Sequence, residues 1–370
     1  MFNGMRVISA DDHVNPPPTI YAERVPRDWR DRMPQVVRRG EEDFLLFEGT
    51  EKPFTLLDGA AGLDAKTVTL LAKTKFDGRR GGWESANRLE DMAFDGVDGQ
   101  VLFGSGAGGG VAIRTVMRPM QEVMIRAYND WLTEHCNADP KRLVAVGELP
   151  IWDIEASIAE ARRCGKLGMR GVALPAIGAY PDSPPEDKPF HDPAYELLWQ
   201  VLEELDLPIH MHLGTRALGR GLENLLMVNI SVNKAAMAEP IATFIFGGIF
   251  QRHPKLKLVS VESGVGWMAF LVPWMDNVFT RHRWHTKSPL TEPPSFYFHR
   301  QVFGTFIEDE VGIRNRDIIG VDNIMWSSDY PHINSSWPES RASIARHFKD
   351  CSPEDKRKML GGNAARLYHL

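Results

Sequence analysis

The sequence predicts an α/β protein, a (β/α)8 TIM barrel with an inserted segment after strand 1, and three observations lead there. Short apolar runs alternate with longer stretches of helical period, the pattern of βα units that feed a parallel sheet. Eight such runs occur, which favours closure over an open sheet. Several of them end on a polar residue that an apolar strand does not need, as expected where a barrel presents its working side chains at strand carboxyl ends.

The expected strands are Arg6–His13, Gln100–Gly104, Arg142–Glu148, Gly171–Pro175, Leu207–Leu213, Leu256–Glu262, Gln301–Ile307 and Asn323–Asp329. The clearest helical stretches between them are Arg118–Asn137, Ile154–Leu167, Ala194–Leu205, Ala235–Arg252 and Pro338–Lys349. A 370-residue chain with 43% hydrophobic and 25% charged residues can bury a large core, so a single domain over 1–370 is expected, with an insertion at about 15–84. That insertion carries Pro16, Pro17 and Pro18, a mixed-charge stretch (Arg38, Arg39, Glu41, Glu42, Asp43) and a hairpin around Phe44–Phe54. Its later part, Asp58–Gly82, reads as a solvated loop, with a lid or an oligomer contact as alternatives. The run Gly104–Gly110 (GSGAGGG) lacks the Gly-Lys-Ser/Thr ending of a phosphate loop and reads as a flexible loop at the barrel mouth.

Several function classes are disfavoured. A net charge of −6 leaves no basic footprint for nucleic acid, and the cluster Arg281–His285 reads as a solvated helix end. No run approaches the roughly 18 apolar residues that span a bilayer, and nothing near Met1 resembles a signal peptide. Cys136, Cys164 and Cys351 are too scattered for a disulfide framework or a thiolate zinc site. A cytoplasmic enzyme is expected.

Four strand ends carry candidate chemistry. Residues two apart on a strand share a face, so Asp11 and His13 are expected inward and Asp12 on the opposite side. A carboxylate beside an imidazole suits a borderline divalent ion such as Zn²⁺, and a solvated strand end is the plainer alternative. His210 and His212 are likewise two apart, with His212 next to the glycine break where a ligand belongs. His210, a layer deeper, reads first as a hydrogen-bonded core or supporting residue and second as a substrate contact. Asp329 closes the last strand, where a ligand or general base fits, and a helix cap is the alternative. Glu262 closes strand six, where a carboxylate is costly unless it meets a metal, a cation or a proton. His332 is placed for substrate contact or for the surface. Together these residues have the composition of a metal site with an open position for water or substrate.

With those residues in place, the chain resembles the amidohydrolase-related family, the branch that includes aminocarboxymuconate-semialdehyde decarboxylase and the aromatic-acid decarboxylases. The resemblance runs through Asp11–His13, Asn87–Gly104, Trp131–Pro150, His191–Gly214, His253–Trp267, Trp326–Pro338 and Gly361–Leu370. It implies metal ligands at Asp11, His13, His212 and Asp329, with Asp329 also handling a proton. No lysine stands in Arg170–Ala173 to form a carbamylated bridge, which implies one divalent ion per chain, Zn²⁺ first and Mn²⁺ second. The departure is Glu262, where the decarboxylases resembled here carry histidine; it reads first as a general base and second as a ligand to a second metal ion.

The reaction expected on this basis is hydrolysis of an amide, ester, lactone or thioester by metal-activated water, with Asp329 and Glu262 as the catalytic pair. Non-oxidative decarboxylation is the alternative, and a catalytically silent binding protein is the third reading. The expected partner is a small organic substrate, with apolar contacts drawn from Trp83, Trp267, Phe303, Phe306, Trp326 and Trp337. A homodimer or larger homo-oligomer is expected from the class.

Overall fold

The computed structural model describes all residues except 1–3, 18, 41, 48–49, 54–58, 64–78, 105–117, 180–182, 185 and 214–225. The expected loop at 105–110 and most of the Asp58–Gly82 segment therefore lie outside the described residues. Two compact units are distinguished: the first comprises residues 1–148, 327–344 and 370, and the second 149–326 and 345–369.

In the first unit, β1 (Ile8–Val14) is followed by an antiparallel sheet, β2 (Gln35–Arg39), β3 (Glu42–Phe47) and β4 (Thr50–Pro53), in the order β2-β3-β4. The expected hairpin is thus three strands. Within the mixed-charge stretch, Arg38 of β2 donates two 2.8 Å hydrogen bonds to the buried Asp43 carboxylate of β3. Next come β5 (Gly99–Gly104), β6 (Leu143–Ala145) and β7 (Gly147–Glu148), so the run expected at Arg142–Glu148 is two short strands. β1, β5 and β6 lie side by side and parallel. All seven residues of β1 are buried, and its register against β5 slips between Ser9 and Asp12.

The helix Ser85–Asp95 feeds β5 and ends on Gly96, whose φ of 82° is the left-handed stop that a glycine accepts without strain. The helix Arg118–Cys136 then turns its apolar side, including Met124, Tyr128 and Leu132, into the core.

In the second unit the strands β8 (Val172–Leu174), β9 (Ile209–His212), β10 (Leu258–Val261), β11 (Val302–Phe306) and β12 (Ile324–Trp326) are parallel neighbours in chain order. Helices alternate with them. Asp153 caps Ile154–Lys166 by accepting from the Ala156 N–H, and Asp192 caps the turn that leads into Glu196–Glu204. The stretch expected as one helix over Ala235–Arg252 is divided among Leu226–Ala236, Ala238–Phe246 and Ile249–Arg252. Gly247 ends the second piece, and Gly248, at φ 72°, starts the third. The helix Met268–His282 runs into the expected Arg281–His285 cluster, where Trp284 is 77% exposed.

Candidate metal centre

The first unit gathers three of the expected ligands. Asp11 and His13 project from one side of β1, and His13 Nε2 lies 3.5 Å from Asp11 Oδ1 and 3.3 Å from Asp329 Oδ1. Both carboxylates are fully buried and His13 nearly so. The segment after Trp326 is held to β1 by backbone hydrogen bonds, Asp329 N–H to Asp11 O at 3.0 Å and His13 N–H to Tyr330 O at 2.6 Å. His332 joins the group, with Nδ1 2.9 Å from Asp329 Oδ1 and its ring stacked on that of His13. His13, Asp329 and His332 each offer a ligand atom, all within 4.8 Å of one another. Burial alone would raise the Asp329 pKa, but His332 and His13 hold it well below the usual carboxylate range.

Two buried carboxylates around one imidazole are expensive unless a cation neutralises them. Oxygen and imidazole donors in this number suit a divalent ion of borderline or hard character. The residues therefore fit a divalent metal ion.

The second unit carries the remaining candidates. His212 ends β9, and its Nδ1 donates to the Leu213 carbonyl at 2.7 Å, which fixes the tautomer that presents Nε2 as a ligand atom. Glu262 follows β10 with φ 57°, and its Oε2 lies 3.8 Å from His212 Nδ1. The Glu262 N–H donates to Thr305 Oγ1 at 2.8 Å, and the loop behind it is tied by Val265 and Gly266 N–H donating to Asp309 Oδ2 at 2.7 and 2.6 Å. Glu262 and Asp329 (φ 60°) are both non-glycine residues in the left-handed region at a strand exit, a conformation that clusters at working sites.

His210 belongs to the core. It is fully buried, with Nε2 2.9 Å from the Tyr368 hydroxyl and Nδ1 3.3 Å from Val172 O, and burial lowers its pKa to about 3. The expected apolar contacts also divide: Phe303, Phe306 and Trp326 are core residues, whereas Trp83, Trp267 and Trp337 are half-buried.

Sequence reasoning missed the support behind the first unit's expected ligands. Asp12, expected on the opposite side of the strand, is fully buried, and burial raises its pKa although Ser328, Ser9, Arg88 and Tyr330 favour the charged form. Arg88, also fully buried, donates to Gly81 O at 2.8 Å, to Gln100 Oε1 at 2.9 Å and to the His13 carbonyl, and lies over the Tyr330 ring. The available signal was a lone arginine four residues before Met92, on the inward side of its helix.

The family model described as "Amidohydrolase" matches residues 10–370. The chain belongs to the amidohydrolase family. It is 25% identical to 2-amino-3-carboxymuconate-6-semialdehyde decarboxylase of Dictyostelium discoideum, over 78% of this chain and 77% of that one. Among solved structures, an amidohydrolase from Mycobacterium avium subsp. paratuberculosis K-10 superposes with a TM-score of 0.78 at 20% identity, covering 99% of this chain and 98% of the other. A dihydroxybenzoic acid decarboxylase from Polaromonas sp. JS666, with bound manganese and the inhibitor 2-nitroresorcinol, gives a TM-score of 0.67 at 18% identity, covering 99% and 97%. These likenesses show the fold, the α/β barrel class that the sequence predicts. The amidohydrolase protein is an enzyme of that superfamily, and no helix among its described residues is long and apolar enough to cross a membrane.

Proposed function

We propose that this amidohydrolase is a metal-dependent, non-oxidative decarboxylase of a small aromatic or unsaturated carboxylic acid. The observation that carries the proposal is the buried Asp11–His13–Asp329 cluster, in a family whose relatives with a named activity compared above are decarboxylases. Hydrolysis, the expectation from sequence, moves to second place. The chain is read as one catalytic domain, because the family model runs from 10 to 370 without a break.

The ligand set we propose is Asp11, His13, His212 and Asp329, holding one divalent ion, with manganese in a structural relative weighing against zinc as first choice. His212 is included on the family pattern and on its own hydrogen bond to Leu213 O. When bound, such an ion supplies positive charge that anchors the substrate's carboxylate and favours build-up of negative charge in the transition state.

The bond between the carboxylate and its carbon breaks, CO₂ leaves, and the electron pair left on carbon takes a proton. The Asp329–His332 pair is the proton carrier in this reading. His332 holds the proton on Nδ1, and Asp329, 2.9 Å away, relays it toward the carbon. Glu262 acts as a general base that orients a substrate hydroxyl, held in place by Thr305 through its backbone. Hydrolysis remains the second reading because Glu262 stands where the decarboxylase pattern has histidine.

The test is turnover of metal-loaded protein on a panel of hydroxybenzoic acids and their esters and amides, followed by CO₂ release and by ester or amide cleavage. CO₂ release from at least one acid, abolished by Asp329→Asn, is expected. Ester or amide cleavage without CO₂ release would reverse the ranking. No turnover together with no bound metal would favour the silent binding protein.

A further inference from the structure

We propose that Asp12 is a positioning residue for the metal ligands on either side of it. This inference rests on reading Asp11, His13 and Asp329 as ligands. Asp12 sits between two of them in the chain and is fully buried. Its Oδ1 accepts from the Ser328 hydroxyl at 2.5 Å and from the Tyr330 N–H at 2.9 Å. One oxygen therefore grips the residue before Asp329 and the residue after it.

Ser9 reinforces the grip, since its hydroxyl oxygen accepts from Ser328 N–H at 2.7 Å. The backbone bonds from Asp329 N–H to Asp11 O and from His13 N–H to Tyr330 O close the same junction. Asp329 itself has φ 60°, a conformation that persists only where its surroundings hold it. A packed apolar side chain at position 12 would fill the space but accept neither hydrogen bond. The Ser328 and Tyr330 donors would then be left to find partners by shifting, and Asp329 would move with them. Asp12 thus sets the distance between the β1 ligands and Asp329 without touching the ion.

The test is metal affinity, read independently of turnover. Wild type, Asp12→Asn, Asp12→Ala and Ser328→Ala are stripped of metal and titrated with Mn²⁺ and Zn²⁺ against a competing chelator, with circular dichroism to verify folding. Supporting groups behind metal ligands typically contribute 10–100-fold in affinity. Asp12→Ala is expected to weaken binding by about that factor, Ser328→Ala by a smaller one, and Asp12→Asn, which keeps the acceptor oxygen, by less than about 10-fold. Leu202→Ala, a core cavity in the other unit, should lower the melting temperature without this loss.

A folded Asp12→Ala that binds as tightly as wild type overturns the proposal, as does an equal loss of affinity in Leu202→Ala at matched stability. If Asp12→Ala does not fold, Ser328→Ala decides, and wild-type affinity there overturns it. Failure of wild type to bind either ion overturns the ligand reading itself, and the Asp12 proposal with it.

Discussion

The imidazole of His13 lies on that of His332, with ring centroids 3.8 Å apart and 20° between the planes. Both rings reach the same oxygen, Asp329 Oδ1. Two stacked imidazoles resist carrying a positive charge at once, so the pair has a natural division of labour. In the proposed function, His13 is the ring that offers nitrogen to a cation and His332 the one that carries the proton.

That division predicts different outcomes for the two rings. His332→Asn should lower kcat by about 10²–10⁴ while changing metal affinity less than tenfold. His13→Asn should empty the site. Metal content and steady-state kinetics on the same preparations check this. Loss of the ion from His332→Asn would make His332 a ligand instead.

Chelation should destabilise the protein as well as silence it. A ligand bound only by the folded state contributes about 4 kcal/mol at a thousandfold excess over its Kd. Thermal melts with and without chelator should therefore differ by several degrees, and Mn²⁺ should restore both stability and turnover. An unchanged melting curve would argue that the buried carboxylates are satisfied without a cation.

In the proposed function, Glu262 serves proton chemistry and not metal binding. Glu262→Gln keeps the size of the side chain and is expected to lower kcat by about 10²-fold with one ion still bound. Glu262→His restores the residue of the decarboxylase pattern and should release CO₂ faster than Glu262→Gln. Two ions per wild-type chain falling to one in Glu262→Gln would instead make Glu262 a ligand.

Acid should unfold the protein partly through His135. Burial, assisted by the charge of Arg88, lowers its pKa from 6.5 to about 3 against a backbone hydrogen bond that raises it. The unfolded chain therefore binds a proton between about pH 6.5 and 3 that the folded chain refuses. Stability is flat above that window and falls as pH drops through it, by up to about 5 kcal/mol from this group. His135→Gln should flatten the slope of denaturation midpoint against pH in that range. An unaltered slope would show that the ring is charged in the folded state.

The polar strand ends were legible because an apolar run that stops on Asp, His or Glu has few structural reasons to do so. The alternation of side chains also placed Asp11 and His13 together, although the register slip between Ser9 and Asp12 was invisible. Asp12 was not legible as a clamp, since its partners Ser328 and Tyr330 lie 316 and 318 residues away. Of the two breaks in Ala235–Arg252, Gly247-Gly248 signals the second, but helical periodicity continues across the pair, and nothing in the sequence marks the first at Met237. His210 shows the limit of period two: its spacing matches His212, but its depth gives it to Tyr368.

The left-handed backbone at Glu262 and Asp329 also bears on how this scaffold can change. Such a conformation admits Gly, Asn and Asp readily and resists β-branched side chains. Valine, isoleucine and threonine are thus disfavoured at both positions before any question of reactivity arises. The alphabet from which selection could draw a new activity is narrowed by geometry alone, and a library built on this barrel would be better spent on polar, unbranched replacements there.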